Sequence, residues 1–294
     1  MISQNKNNSE HSATTLACAA AERLAADGNL LARRDADLML AHILSIEPSA
    51  IPLHGAVVSQ GQQTTFQSMI DRRLTGEPVA HIIGEQEFWS LEFYVNRHTL
   101  IPRPDTELLV ELGLKSIASL TQPTVADLGC GSGCILFSIL SEHAGATGVG
   151  ADFSASALDV ARRNASRHGL AERANLLESD WFSNIKCGTE FDLIVSNPPY
   201  IPAGDIPQLM HDVRDFEPSS ALDGGMDGLD CYRVVTHGAL DHLATNGYLL
   251  FEVGINQSAA VGSIMGDLGY REVEVYPDLA GIDRAIIGKK PQES

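Results

Sequence analysis

The sequence contains no apolar run near the ~18 residues that a membrane-spanning helix requires. Its opening, MISQNKNNSEHS, is polar and lacks the apolar centre of a secretory signal. Residues 1–12 are expected to be a disordered start, and the chain to stay in the cytoplasm, away from membranes. Cysteine is sparse: Cys18, Cys130, Cys134, Cys187 and Cys231 are odd in number and scattered. Such spacing gives no disulfide framework and no metal site. Cys130 and Cys134 flank glycines and read as small buried thiols. Basic clusters are missing too, since no Lys/Arg group exceeds a pair such as Arg33-Arg34 or Arg162-Arg163. The formal net charge is −18. Residues 1–84 carry six Lys/Arg against eight Asp/Glu, a net −2, and the remainder 14 against 30, a net −16. Nucleic-acid binders present cations to phosphates, so direct contact with nucleic acid is disfavoured. An acidic surface suits a basic protein partner, although it also simply keeps a protein soluble.

What is present has two textures. With 294 residues, 44% hydrophobic, the chain can bury one or two cores. Residues 13–84 read as a small helical bundle. TLACAAAERLAADG ends at Gly28, ARRDADLMLAHILSIEP stops before Pro48, and TTFQSMIDRRLTGEP stops at Gly76 and Pro78. EQEFWSLEFYVNRHTL, residues 85–100, is aromatic and β-branched and predicts a β-hairpin linking two domains. IPRPDTE follows, and a helix then starts at Asp105 or Thr106. From 123 onward strands alternate with helices. Strands are predicted at 124–129, 147–152, 174–179, 191–197, 247–254, 271–277 and 284–289, the last two as an antiparallel hairpin. Continuous apolar strands alternating with helices predict an α/β fold with a mostly parallel sheet, covered on both faces, in residues 101–294.

VADLGCGSGCI places Gly129, Gly131 and Gly133 between a strand and a helix. Glycine lets backbone turn sharply and approach a ligand without a Cβ in the way. Such a loop lies outside the carboxyl end of its strand, where open α/β sheets bind ligands, and the helix start behind it favours an anionic group. The dinucleotide fingerprint is G-x-G-x-x-G, whereas the spacing here is G-x-G-x-G with Asp127 before it. Asp127 is placed to hold the ammonium of a methionine tail and would repel a pyrophosphate. Asp152 ends the next strand, where a carboxylate can accept from both ribose hydroxyls. The pattern favours S-adenosylmethionine over a nicotinamide dinucleotide, with a ligand-free glycine turn as the bland alternative.

FDLIVSNPPYIP sets Asn197 at the end of another apolar strand, at the same crevice. Pro198 and Pro199 fix the backbone and lack N–H groups, so their carbonyls are open to a substrate. Asn197 adds an amide oxygen and NH₂, and Tyr200 a π-face for a planar group. An amide or aromatic amine nitrogen is a poor nucleophile because its lone pair is delocalised. The Asn197 side chain and the Pro198 carbonyl can accept its two hydrogens and aim the lone pair at a methyl donor. Positive charge developing on nitrogen strengthens both bonds in the transition state. On its own, N-P-P-Y is also a common rigid turn.

Asp127 to Gly133, Asp152, Ser179-Asp180-Trp181-Phe182 and Asn197 to Tyr200 together resemble class I methyltransferases of the release-factor glutamine methyltransferase family. GEPVAHIIGEQEFWSLEFYVNRHTLIPRPDTE (76–107), DVRDFEP (212–218) and DLAGIDR (278–284) are similar as well. The resemblance covers the chain beyond about residue 13. It implies a Rossmann-like seven-stranded catalytic domain and an N-terminal helical domain that helps bind the substrate. It implies methyl transfer from S-adenosylmethionine to the glutamine of the Gly-Gly-Gln motif of peptide chain release factors. By position, Gly129, Cys130, Gly131, Ser132, Gly133 and Asp152 would hold the cofactor and Trp181 would pack on its adenine. Asn197 would touch cofactor and substrate, and Asn197, Pro198, Pro199 and Tyr200 would hold the glutamine amide. Arg103 and Glu107 either shape the mouth of the site or form an ion pair. The family often has threonine where Cys130 and Ser132 stand, a small departure in a loop that binds through backbone. The nitrogen motif is shared with adenine methyltransferases acting on nucleic acid, which remain the alternative. The other contenders are a nicotinamide dehydrogenase and a non-catalytic binding module on this scaffold.

Overall fold

The computed structural model describes residues 11–52 and 57–291, so most of the expected disordered start, residues 1–10, lies outside the described residues. The chain divides into two compact units meeting at Gly84 and Glu85.

The first unit contains β1 (His11–Ser12), α1 (Ala13–Ala26), α2 (Ala32–Leu44), β2 (Val57–Val58), α3 (Gln60–Leu74) and α4 (Val79–Ile83). Residues 11 and 12 are part of this fold: β1 pairs with β2, and the Ser12 hydroxyl caps α1 by accepting the Thr15 N–H. Helix α3 begins four residues earlier than the TTFQSMI pattern indicates. Ser59 and Gln62 form a reciprocal capping box that satisfies two N-terminal donors and pulls the start forward. The core is mainly aliphatic, built on Leu24, Met39, Leu40, Ile51 and Ile70 with Phe66 as its aromatic member. Asp35 and Arg73 pair at its margin at 2.8 Å.

The second unit opens with β3 (Glu85–Phe88) and β4 (Leu91–Tyr94), an antiparallel hairpin turning on Trp89 and Ser90. Both turn residues have positive φ, +52° and +58°, the handedness a two-residue hairpin turn needs, taken without glycine. There follow α5 (Glu107–Ile117), β5 (Thr124–Leu128), α6 (Cys134–Glu142), β6 (Thr147–Asp152), α7 (Ala155–Arg167), β7 (Ala174–Glu178) and β8 (Phe191–Ser196). The unit finishes with α8 (His211–Phe216), α9 (Asp230–Ala239), β9 (Leu243–Glu252), α10 (Ser258–Asp267), β10 (Arg271–Pro277) and β11 (Asp283–Lys289).

Seven strands form one sheet in the order β10-β11-β9-β8-β5-β6-β7. All neighbours are parallel except β11, which runs antiparallel to both β9 and β10. The final hairpin therefore inserts its second strand beside β9 and leaves β10 at the edge. Strand β9 starts at Leu243, earlier than the predicted 247, because its first residues pair with Phe191 across a register shift. Strands β5 and β8 are buried almost throughout, as is the last part of β9 from Leu249 to Glu252, as expected where helices cover both faces. Strands β6 and β7 are added on one side of β5 and β8 on the other, and the crevice outside the carboxyl ends of β5 and β8, where that order switches, is where such sheets bind ligands.

Candidate active site

The glycine loop hangs from the end of β6. Gly129 and Cys130 donate their N–H groups to the Ala151 carbonyl at 2.8 and 3.0 Å. The Gly131 N–H donates to Asp152 Oδ2 at 2.9 Å, while Asp152 Oδ1 accepts the Ser154 N–H at 2.9 Å. Gly129, Gly131 and Gly133 all take positive φ, +72°, +54° and +80°, a region that L side chains rarely adopt. At Gly133 a Cβ would also lie 2.2 Å from the Phe137 ring; at Gly131 nothing stands within 4 Å, so the loop faces open space there.

Asp127 lies beneath this loop and is 1% exposed. Its Oδ2 accepts the Leu136 N–H in the first turn of α6 at 3.2 Å, and Oδ1 is buried without a partner among the described residues. Burial pushes its carboxyl up to about 7.

A cavity of roughly 460 Å³ opens over the carboxyl ends of β5, β6 and β8. Gly129 to Ser132, Asp152, Trp181, Asn197 and Pro199 share its wall. The expected cofactor residues thus meet in one place, apart from Gly133, which serves the loop's packing. Asp152 is largely buried, which raises its carboxyl, although the two backbone N–H groups oppose that shift. Trp181 is half-buried with φ +49°. Ser179 holds it in that conformation, donating its hydroxyl to the Trp181 carbonyl at 2.8 Å and accepting the Asn184 N–H at 3.0 Å. Phe153 was not singled out in the sequence, yet it lines the cavity and is 58% exposed. Its signal was an aromatic directly after the strand-ending acid.

Asn197 and Pro199 reach the cavity, whereas Pro198 is buried and Tyr200 does not line it. Asn197 Nδ2 donates to Thr106 Oγ1 at 3.3 Å, and Thr106 donates to Glu252 Oε2 at 2.5 Å. The Tyr200 hydroxyl donates to Glu252 Oε1 at 3.3 Å, and the Tyr200 carbonyl accepts from Gln257 Nε2 at 2.8 Å. Glu252 is 2% exposed, and burial raises its carboxyl while Thr106 and Arg284 pull it back. Burial, reinforced by the neighbouring Glu252 charge, also raises the Tyr200 phenol. Thr106 and Glu252 are functional candidates that the motif reading missed.

Arg103 and Glu107 do not pair. Arg103 lines the cavity and forms an ion pair with buried Glu217. Glu107 accepts the Trp89 N–H at 2.8 Å and so anchors the positive-φ hairpin turn, away from the cavity wall.

Residues 16–84 match the family model of the PrmC N-terminal domain, and residues 104–212 that of the methyltransferase small domain. The release factor glutamine methyltransferase of Cereibacter sphaeroides is 42% identical over 276 residues, 93% of this chain and 96% of its own length. The protein of the same name from Vibrio cholerae is 40% identical, with 94% and 96% covered. Among solved structures, the hMettl16 catalytic domain in complex with the MAT2A 3'UTR hairpin 6 superposes with a TM-score of 0.59 at 14% identity, covering 86% of this chain and 93% of that one. A methyltransferase from Pyrococcus furiosus gives 0.50 at 16%, with 77% and 98% covered. At that distance the structures establish the fold alone, but identity near 40% over almost the whole sequence establishes more: the chain belongs to the release factor glutamine methyltransferase family.

Proposed function

We propose that this protein transfers a methyl group from S-adenosylmethionine to the side-chain amide nitrogen of the glutamine in the Gly-Gly-Gln motif of peptide chain release factors. One observation carries the reading: the glycine loop, Asp152, Asn197 and Pro199 wall a single cavity. The residues fit the donor. Gly131 leaves space for close backbone approach. Asp152 retains lone pairs for ribose hydroxyls, Trp181 and Phe153 offer ring faces to the adenine, and the unpartnered Asp127 Oδ1 suits an ammonium group. When bound, the donor supplies an electrophilic sulfonium methyl.

The chain's own work is positioning. Asn197 Oδ1 and the Pro198 carbonyl, the latter leading from a buried ring into Pro199 at the cavity wall, accept the two hydrogens of the glutamine amide and hold its nitrogen in line. As positive charge develops there, both hydrogen bonds strengthen. The glutamine nitrogen loses its proton to water as the reaction completes, and no strong base is required. The helical unit, residues 13–84, helps to engage the release factor, and the acidic catalytic unit favours a protein over a phosphate backbone. The test is incubation with labelled donor and either a release factor or DNA. Label in the release factor supports the reading; label in DNA alone reverses it.

A further inference from the structure

Asn197 can serve the proposed reaction only if its amide faces the right way. Its oxygen must meet the substrate hydrogens, so its NH₂ must be held elsewhere. The side chain is isosteric under a flip, and packing alone cannot tell O from NH₂. The network behind it can. Glu252 lies at the end of β9, buried, and accepts from two hydroxyls, those of Thr106 and Tyr200. In its carboxylate form, which the Thr106 hydroxyl and the Arg284 charge favour against burial, Glu252 has no hydrogen to give. Thr106 must then direct its single hydrogen to Glu252, leaving its oxygen to accept. The Asn197 NH₂ supplies that hydrogen at 3.3 Å, and Asn197 Oδ1 is left for the substrate. Were Glu252 absent, the Thr106 hydroxyl could donate to Asn197 and favour the opposite flip.

We infer that Thr106 and Glu252 are positioning residues which polarise a buried relay so that Asn197 presents its oxygen, and not its NH₂, to the acceptor amide. The same carboxylate holds the Tyr200 hydroxyl, so both ends of Asn197-Pro198-Pro199-Tyr200 are referenced to one group. The helix-initiating segment Pro104–Thr106 supplies the intermediate hydroxyl, which gives the IPRPDTE stretch a chemical use. Thr106 is 2% exposed, and no ligand is needed to fill its hydrogen bonds. This inference rests on the proposed function.

The test compares Thr106→Val and Thr106→Ser in the full chain, with a release factor as acceptor. Thr106→Val keeps the shape and removes the relay; turnover is expected to fall ~10–100-fold, the scale of a misplaced reacting group. KM for the methyl donor is expected to stay within about two-fold, since Thr106, although it lines the same cavity, has its hydroxyl engaged by Glu252 and Asn197. Thr106→Ser restores the hydroxyl and is expected to recover most of the turnover. Should Thr106→Val not fold by circular dichroism, Thr106→Ala carries the same comparison. The relay is overturned if the valine or alanine variant turns over within two-fold of wild type, or if serine is as impaired as valine. It is also overturned if donor KM rises as much as turnover falls. A wild type that labels no release factor overturns the underlying reading instead, a result distinct from a labelling wild type with an unimpaired Thr106→Val.

Discussion

Asp152 accepts the Gly131 backbone N–H at 2.9 Å, which makes the end of β6 and the glycine loop a single rigid support. Two sequence features about twenty residues apart thus act together.

The three loop glycines are not equivalent. Gly133→Ala meets Phe137 at 2.2 Å and must also hold φ +80°, so it is expected to destabilise the fold by ~2–4 kcal/mol. Gly131→Ala meets nothing and is expected to cost ~1–2 kcal/mol while weakening donor binding more than ten-fold. Chemical denaturation and donor titration of the two variants check this ordering.

Asp127 gives a pH signature. Its carboxyl, raised by burial to about 7, binds a proton more tightly in the folded than in the unfolded chain. Its contribution to stability is therefore present below the usual carboxylate pKa and is lost as pH rises through about 7. Asp127→Asn removes that loss, so the variant's melting temperature relative to wild type should rise between pH 4 and pH 8. A domain of this size shifts ~2–4 °C per kcal/mol, and several degrees are expected. Donor affinity of the same variant should fall, because the ammonium loses its counter-charge. A stability gap that is flat with pH contradicts the assignment.

Arg103 is the cation beside buried Glu217. Arg103→Met leaves that carboxylate unpaired and is expected to cost ~2–4 kcal/mol, with partial recovery in Arg103→Met/Glu217→Gln. Thermal unfolding of the single and double variants measures the coupling. Glu107→Gln, by contrast, should disturb the Trp89 turn and leave donor affinity unchanged.

Only Trp89 and Trp181 are tryptophans. In a Trp89→Phe background, S-adenosylmethionine should change the fluorescence of Trp181 with saturation, independent of turnover. A spectrum insensitive to the donor argues against adenine packing on this ring.

The parts of the site that the sequence made legible were the local ones. Strands β5 and β8 are largely apolar runs, β6 is a short glycine-rich strand, and each ends in residues whose chemistry can be named: Gly129 to Gly133, Asp152, and Asn197 to Tyr200. The boundary of α3 was missed because the Ser59–Gln62 capping box outweighed the apolar pattern. Thr106 and Glu252 were not legible because they are 146 residues apart and meet only through the order of the sheet. Glu107, which closes IPRPDTE, suggests either a place at the mouth of the site or an ion pair with Arg103, yet it answers the positive-φ turn at Trp89, and no periodicity reports backbone strain.

The central claim is transfer to one glutamine nitrogen held by Asn197. The most direct measurement is peptide mass spectrometry of a release factor after reaction with wild type and with Asn197→Ala, alongside donor titration of both. The account predicts one added methyl on the Gly-Gly-Gln glutamine with wild type, at least ~100-fold less with Asn197→Ala, and donor binding largely retained in the variant. An unmodified glutamine with wild type, or undiminished methylation by Asn197→Ala, contradicts it.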